Sequence, residues 1–243
     1  MRIDVDFSHL KDVRALSYGE SLVDILSSHG FDIDKASSFE PVKNDFLPGD
    51  IAKWWKGTGD GGKNGELSSC DFLFKGNTPT ATRFLGMAAW GVNMHPNLKA
   101  FNFVSLWFNV KKGHDFDKLV SLGNALFEWC EAEHGSINEV IDYSEEYDGR
   151  CGNIYKGLPG LRWINYFGSA YLSNPDFNLL DTCANVAHGT RLMLAETPYD
   201  EKLKDEAYVR TIKEHLGKQW FYSKDGEVKI PDFDRTAISR AFE

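Results

Sequence analysis

Apolar and polar residues alternate at two places in the chain with the period of a β-strand. Residues 2–7 divide into two sets, with Ile3, Val5 and Phe7 on one side and Arg2, Asp4 and Asp6 on the other. Residues 101–110 also divide, with Val104, Leu106, Phe108 and Val110 on one face and Phe103 and Trp107 on the other. We therefore predict two strands. The second is apolar enough on both faces to be buried.

The helical spacing of apolar residues is clearest in residues 116–130. Apolar residues recur there at i, i+3, i+4 and i+7, and Asp115 can cap the first turn. A second amphipathic helix is predicted from about residue 200 to 216. Pro79 precedes residues 80–92 at the position that proline favours in a first helical turn, so this range predicts a third helix.

Shorter strands are predicted at four further places, residues 70–75, 137–143, 163–167 and 190–195. Strands mixed with single helices, without strict β–α alternation, favour an α+β fold. We expect an antiparallel or mixed sheet with helices packed mainly on one face. The loop-like residues 57–69 predict a boundary between a peripheral N-terminal region, residues 1–66, and a main body, residues 67–243. The two could also form one continuous domain.

One aromatic segment stands out, residues 158–172, which read LPGLRWINYFGSAYL. It contains Trp163, Tyr166, Phe167 and Tyr171, but no Cys, His, Asp or Glu. Side chains this bulky and this poor in reactive groups are typical of packing and not of catalysis. The segment predicts a strand that enters a bend at Gly168.

Composition indicates a folded, acidic protein. The 243 residues include 27 basic and 36 acidic ones, which gives a formal charge of −9. A negative surface disfavours nucleic acids and anionic membranes and suits a basic partner, although on charge alone ordinary acidic solubility is the favoured interpretation. The N-terminus has no signal-peptide pattern and no apolar run is long enough to span a membrane. We expect a cytoplasmic protein, and its oligomeric state stays open.

Candidate chemistry is sparse. Residues Gly57–Lys63 match G-x-G-x-x-G and nearly match a P-loop, but Asn64 replaces the Ser or Thr, and neither a buried strand nor a helix flanks the loop. A flexible loop is the favoured interpretation, and a small hydrolase or nucleotide-binding enzyme that uses this loop is the alternative. The seven histidines are scattered and the four cysteines stand singly. We predict no catalytic residue, metal or cofactor, and cysteines that stay reduced.

An acidic run is the sharpest electrostatic feature. Between residues 128 and 148 there is no Lys or Arg and there are eight carboxylates, Glu128, Glu131, Glu133, Glu139, Asp142, Glu145, Glu146 and Asp148. The run is interpreted either as a solvated helix end and loop or as a surface for a basic partner. Paired carboxylates could also serve acid–base chemistry or a metal. As partner-binding residues we predict Glu139, Asp142, Glu145, Glu146 and Asp148.

Residues 158–172, together with the strings RLMLAETPYD and HLGKQWF, resemble the immunity proteins of bacterial toxin systems. The resemblance is greatest to immunity protein family fifty-two and the related type VI secretion immunity proteins. It covers roughly Phe101 to Phe233 and rests on a spaced pattern that contains W-I-N-Y-F-G, not on a reactive motif. The N-terminal hundred residues match less clearly.

The resemblance implies a cytoplasmic antidote that binds a cognate toxin, often a nuclease, and blocks it without being an enzyme itself. The family signature would then be Trp163, Asn165, Tyr166, Phe167 and Gly168, and these residues would hold the fold. Contacts with the toxin vary between relatives, so the resemblance supplies none.

Overall fold

The computed structural model of the protein describes residues 1–38, 40–55, 70–77, 83–92, 101–110, 115–139, 154–223 and 226–233. The strands in these ranges are β1 (Arg2–His9), β2 (Asp32–Ser37), β3 (Asn44–Asp45), β4 (Cys70–Asn77), β5 (Arg83–Val92), β6 (Phe101–Asn109), β7 (His134–Glu139), β8 (Ile164–Gly168), β9 (Ala184–Val186) and β10 (Gly189–Met193). The α-helices are α1 (Leu16–Ser28), α2 (Ile51–Trp54), α3 (Phe116–Cys130), α4 (Ser169–Leu172) and α5 (Glu206–Leu216).

The strands form one sheet in the order β3-β2-β4-β5-β6-β1-β7-β8-β10-β9. Each neighbouring pair is antiparallel. The first strand of the chain therefore lies in the interior of the sheet, between β6 and β7. The sheet takes strands from both sides of the boundary predicted near residue 66. That boundary stays a prediction, because residues 56–69 lie outside the described residues.

Strand register assigns each side chain to one of two faces, because directly paired residues in an antiparallel sheet point to the same side. We call the side that carries Ile3, Val5 and Phe7 face A. The side that carries Asp4, Asp6 and Ser8 is face B. Helices α1 and α3 pack on face A, where their buried residues join a hydrophobic core with the apolar residues of β1 and β6.

Face B is covered by helices at the other end of the sheet, over β8 and β10. Helices α4 and α5 and the segment after α5 pack there on Phe167 and Leu192. The buried aromatic side chains of this second core are Phe101, Phe167, Tyr171, Phe177, Trp220, Phe221 and Phe233. The α+β class and the antiparallel sheet are thus confirmed, but the helices are not confined to one face. The reason is that β8 and β10 carry large apolar side chains on both faces, and each face must be covered.

The strands predicted near residues 2–7 and 101–110 and the helix at 116–130 are confirmed. The side chain of Asp115 accepts a hydrogen bond from the backbone N–H of Asp117 at 3.1 Å, as a helix cap does. The helix expected from about residue 200 is divided into a 3-10 turn at Glu201–Lys204 and α5. Strand β7 occupies His134–Glu139, and residues 140–143 of the predicted strand lie outside the described residues.

The helix predicted over residues 80–92 is wrong, because residues 83–92 form β5. Its strand alternation is hidden in the sequence, since the face A positions Gly86 and Ala88 are small. At Gly86 the ring of Phe74 on β4 occupies the space of a side chain, since a Cβ there would lie 2.3 Å from this ring. Pairing with β4 on one side and β6 on the other overrides the local preference of these residues.

Strand β8 connects the two cores. Tyr166 on face A is buried, and its ring lies 5.2 Å from the rings of both Phe7 and Phe127. Its hydroxyl donates to Asn124 Oδ1 on α3 at 3.0 Å, so the buried O–H is paired. Phe167 on face B packs 5.0 Å from the ring of Phe177. Adjacent residues of the W-I-N-Y-F-G string therefore fix opposite faces of the sheet.

Gly168 ends β8 where the backbone that follows α3 passes closely. Its N–H donates to Glu133 O at 2.9 Å. A Cβ on Gly168 would lie 2.3 Å from Ala132 O and 2.7 Å from Glu133 Cα, and backbone atoms cannot move aside as a flexible side chain can.

We predict that Gly168→Ala lowers the free energy of unfolding by at least ~2 kcal/mol, because the new methyl group forces the two segments apart. Urea unfolding followed by circular dichroism measures the change. Gly49→Ala is the matched control, since a Cβ there meets nothing within 4 Å and the expected effect is within ~0.5 kcal/mol. Equal stability of the two variants would contradict the close approach at Gly168.

Candidate functional site

The structure describes only one of the five predicted partner-binding residues. Glu139 ends β7, is half-buried and projects from face A, where it is paired with Ile3. The pKa of the exposed Lys204 is raised by its hydrogen bond to Glu201, and the charge of Glu139 adds to this rise. Asp142, Glu145, Glu146 and Asp148 lie outside the described residues, as does the Gly57–Lys63 loop. The acidic surface therefore stays a prediction.

A row of polar side chains crosses the middle of face B, where an interior part of a sheet would ordinarily be apolar. We call this row the polar belt; its members are Asp4, Asp6, Ser8, Ser105, His134, Ser136, Asn138 and Asn165. Six of them are buried, with Ser105 and Asn165 each only 1% exposed. Buried polar groups that break the hydrophobic pattern are the expected mark of a functional or strained site.

Asn165 fixes the backbone that precedes β8. Its Oδ1 accepts from the N–H of Arg162 at 2.8 Å, and its Nδ2 donates to the carbonyl of the same residue at 2.8 Å. The next residue, Trp163, donates from its N–H to Asn138 Oδ1 at 3.2 Å and from its indole to Ala195 O at 2.8 Å. These bonds place Arg162 close enough to the polar belt for its charge to act on Asp4, Asp6 and His134.

The two aspartates of the belt hold their protons unusually tightly. Burial raises the pKa of Asp4 to about 7, and the neighbouring Asp6 adds to this rise, while Arg2 and Arg162 oppose it. Burial likewise raises the pKa of Asp6 to about 6, against the opposing effects of Ser105, Arg162 and Arg2. Both carboxyl groups therefore titrate close to neutral pH, and a new cation beside them would favour their ionised forms.

His134 behaves in the opposite way. Burial, followed by the charge of Arg162, lowers the pKa of its imidazole to about 4. The ring is therefore neutral at physiological pH. The belt thus holds two acids near their titration point and a neutral imidazole.

The hydrogen bonding of the two aspartates differs. Asp4 Oδ1 accepts from Arg2 Nε at 3.3 Å. Asp6 Oδ1 is shielded from solvent and has no hydrogen-bond partner among the described residues, and the same holds for Oγ of Ser105, which is paired with Asp6 across the strands. Ser105 lies near enough to lower the pKa of Asp6, but the two groups do not have the geometry of a hydrogen bond. An unpaired buried acceptor costs stability unless something binds to it.

Large apolar side chains flank the belt on the side of β5 and β6. Trp107 is paired with Asp4, Leu85 with Trp107, and Met87 with Ser105, so all three point to face B. Each is half-buried, and none belongs to either hydrophobic core. Asp4 and Ser105 beside them are only 7% and 1% exposed, so the acidic centre of this part of face B is shut off from solvent.

Within the described ranges, no group of three or more His, Cys, Asp and Glu side chains could hold a metal ion. Of the two cysteines whose side chains are described, Cys130 and Cys183, neither forms a disulfide, and burial raises the pKa of both thiols. Across the same part of the chain, no helix has the length and apolarity needed to cross a membrane.

The alternation of residues in β1 is the one feature of the sequence that points to the polar belt, but the alternation alone does not show that these residues are buried. Asp4 and Asp6 alternate with buried apolar residues in β1, which is typical of a strand with one solvent-facing side. Their place in the middle of face B results from pairing with β6 and β7, whose register the sequence does not specify.

The fold is similar to that of a known protein. No family model and no curated protein matches the chain. Among solved structures, the Pseudomonas aeruginosa T6SS protein PA0821 matches with a TM-score of 0.56 and 12% sequence identity. The match covers 93% of this chain and 78% of that one. A likeness at this identity is one of fold.

We predict that Asp6→Asn stabilises the protein at pH 8 by ~1–3 kcal/mol and much less at pH 4. In the folded protein the pKa of Asp6 is about 6, above its ordinary value of 3.8. The folded state therefore keeps a proton that the unfolded state releases between these values, and stability falls as pH rises through this window. The amide that replaces the Asp6 carboxyl does not titrate, so the variant does not lose this stability as the pH rises.

Urea unfolding of both proteins at pH 4 and pH 8 measures the effect. The buried His9 and His134, whose pKa values are lowered to about 3 and about 4, also make stability depend on pH. They are present in both proteins, so their contribution cancels in the difference and the effect of the Asp6 carboxyl remains. The same difference in stability at both pH values would rule out a buried, proton-holding Asp6.

Proposed function

We propose that the protein is an immunity protein that binds a cognate bacterial toxin and neutralises it by stoichiometric occlusion. On this proposal it acts in the cytoplasm, by binding and not by catalysis, and the toxin is a nuclease effector. The observation that carries the proposal is the fold likeness to a T6SS protein, which extends over 93% of the chain. The immunity role itself comes from the resemblance of the W-I-N-Y-F-G string to type VI secretion immunity proteins, although no family model matches the chain.

Charge supports a basic partner. The chain carries a formal charge of −9, and a nuclease needs a basic surface to bind nucleic acid. Opposite charges speed the encounter of two proteins and select against wrong partners. We therefore keep Glu139, Asp142, Glu145, Glu146 and Asp148 as proposed toxin contacts.

Co-purification tests the proposal. The tagged protein is expected to capture one basic protein from a lysate of its source organism, which mass spectrometry identifies. That protein, expressed alone in a laboratory host, should arrest growth, and co-expression with this chain should restore it. Capture of a partner that is harmless alone, or growth arrest that co-expression does not relieve, would contradict the proposal.

We predict that reversing three charges of the acidic run, with Glu145→Lys, Glu146→Lys and Asp148→Lys together, weakens toxin binding at least ~10-fold, because repulsion replaces attraction. Calorimetric titration at 50 and 300 mM salt measures the change, which should shrink at the higher salt. The control reverses Glu20, Asp24 and Glu40, which are exposed and change the net charge equally. Equal affinity of the two triple variants removes the acidic run from the interface.

A further inference from the structure

We propose that the backbone edge at the end of β10 is a docking site for an extended segment of a partner protein, which adds one strand to the sheet and places a basic side chain beside Glu196 and Asp200. We call this edge, residues 193–195, the free edge. The partner is the toxin of the proposed function, and this identification rests on that proposal.

The first argument is a stretch of unpaired backbone. On the side of β8, Leu194 donates its N–H to Trp163 O at 2.9 Å. Because successive residues of a strand direct their N–H and C=O groups to opposite sides, those of Met193 point to the outer side. There the neighbour β9 begins at Ala184, which pairs with Arg191, and so stops two residues short of Met193. Within the described ranges, no backbone group is hydrogen-bonded to the outward N–H and C=O of Met193.

The second argument is the space beside the free edge. An open cavity of about 470 Å³ lies there, and its lining residues are Met193, Leu194, Ala195, Glu196, Asp200 and Lys202. Met193 and Ala195 are half-buried and not shut off from solvent. On one side of the cavity the chain turns before β9, since Cys183 N donates to Leu180 O at 3.0 Å. On the other side lies the 3-10 turn Glu201–Lys204. An extended segment can therefore lie between the two turns.

An open strand edge is a template for another strand. An antiparallel segment opposite Met193 would exchange two hydrogen bonds with its N–H and C=O. The N–H of Ala195 points to the same side by the alternation and offers a third bond, while its carbonyl already accepts from the indole of Trp163 at 2.8 Å. The free edge thus offers three backbone groups to a segment of a few residues.

The third argument is charge. Glu196 and Asp200 bring two carboxylates to the cavity, and Lys202 brings one ammonium group. Glu196 is exposed, so its charge is accessible to a docked segment. A basic side chain on that segment is therefore favoured over an acidic one. A second copy of this chain is a poorer occupant, because each copy carries a formal charge of −9 and like charges repel.

A short peptide tests the free edge without the toxin. Isotope-labelled full-length protein is titrated at low salt with acetyl-Lys-Val-Lys-Val-Lys-amide, whose β-branched valines favour the extended form, and followed by nuclear magnetic resonance. Saturable shifts are expected at the amides of Met193 and Ala195, and none at Val5 in the middle of the sheet. The dissociation constant should be on the order of 10 mM, because a few backbone hydrogen bonds of modest net strength form.

Two altered peptides separate the ladder from the charge. N-methylation of the three central residues removes their backbone donors and should abolish the saturable shifts. Replacement of the lysines by glutamates should weaken binding at least fivefold. Equal binding of either altered peptide would overturn the proposal, and so would the absence of saturable shifts with the lysine peptide. Shifts of the same amides on raising the protein concentration without peptide would identify a second copy as the occupant, which also overturns it.

Two substitutions at one position localise the binding. Met193→Pro removes the outward N–H but no bond of the inner ladder, and proline is tolerated in edge strands at such positions. It should weaken the lysine peptide at least fivefold. Met193→Val is the matched control, since it changes the side chain but keeps the N–H, and its affinity should stay within about twofold. Equal affinity of the two variants, with both shown to be folded by urea unfolding, would contradict strand addition.

A charge variant keeps the proposal testable if the proline variant does not fold. Glu196→Lys changes an exposed side chain and should weaken the lysine peptide at least fivefold at low salt. Glu214→Lys reverses an exposed charge on α5 and should leave the affinity unchanged. Equal affinity of these two variants would remove Glu196 from the site and overturn the proposal.

The toxin separates this proposal from the proposed function. If a toxin is captured and neutralised but binds Met193→Pro and Glu196→Lys as tightly as the natural protein, the docking site fails and the immunity function stands. If the lysine peptide binds as expected but no toxin is found, the free edge stands as a strand-binding site and the immunity function fails.

Discussion

The hydrogen-bond ladders of strand β1 hold the two halves of the sheet together. On one side β1 pairs with β6, and on the other with β7, so strands that come late in the chain can join only through its first residues. The side chains of β1 point alternately to the two faces of the sheet. Ile3, Val5 and Phe7 enter the core under α1 and α3, while Asp4 and Asp6 are carried into the middle of face B. Fold and candidate site are therefore fixed by the same alternation.

Patterns that depend on local spacing were predictable from the sequence. The helix at 116–130 has an apolar stripe and a capping Asp115, and both act within the element. The strand at Arg83–Val92 was missed because two of its inward positions, Gly86 and Ala88, are small and interrupt the alternation. The reason for the glycine at position 86 is the ring of Phe74, which lies on a neighbouring strand. The candidate site was missed for a similar reason: Asp4 and Asp6 look solvent-facing until the register pairs them with Trp107 and Ser105.

The polar belt lowers the stability of the fold. Burial of two carboxyl groups and an unpaired serine hydroxyl is unfavourable in the isolated protein. Hydrogen bonds of Asn165 and Asn138 hold the backbone of Arg162 and Trp163, and the charge of Arg162 acts on Asp4 and Asp6, which links the aromatic segment of the sequence to the electrostatics of face B.

Neutralisation by stoichiometric binding is the central claim, and titrating purified toxin with purified protein tests it most directly. The toxin's activity is measured as the molar ratio increases at concentrations well above the dissociation constant. The account predicts a linear loss of activity that ends at a fixed whole-number ratio of the two chains. Complete loss at a small fraction of that ratio would indicate catalytic destruction of the toxin, and undiminished activity would show that the protein does not inhibit it. Either result contradicts the account.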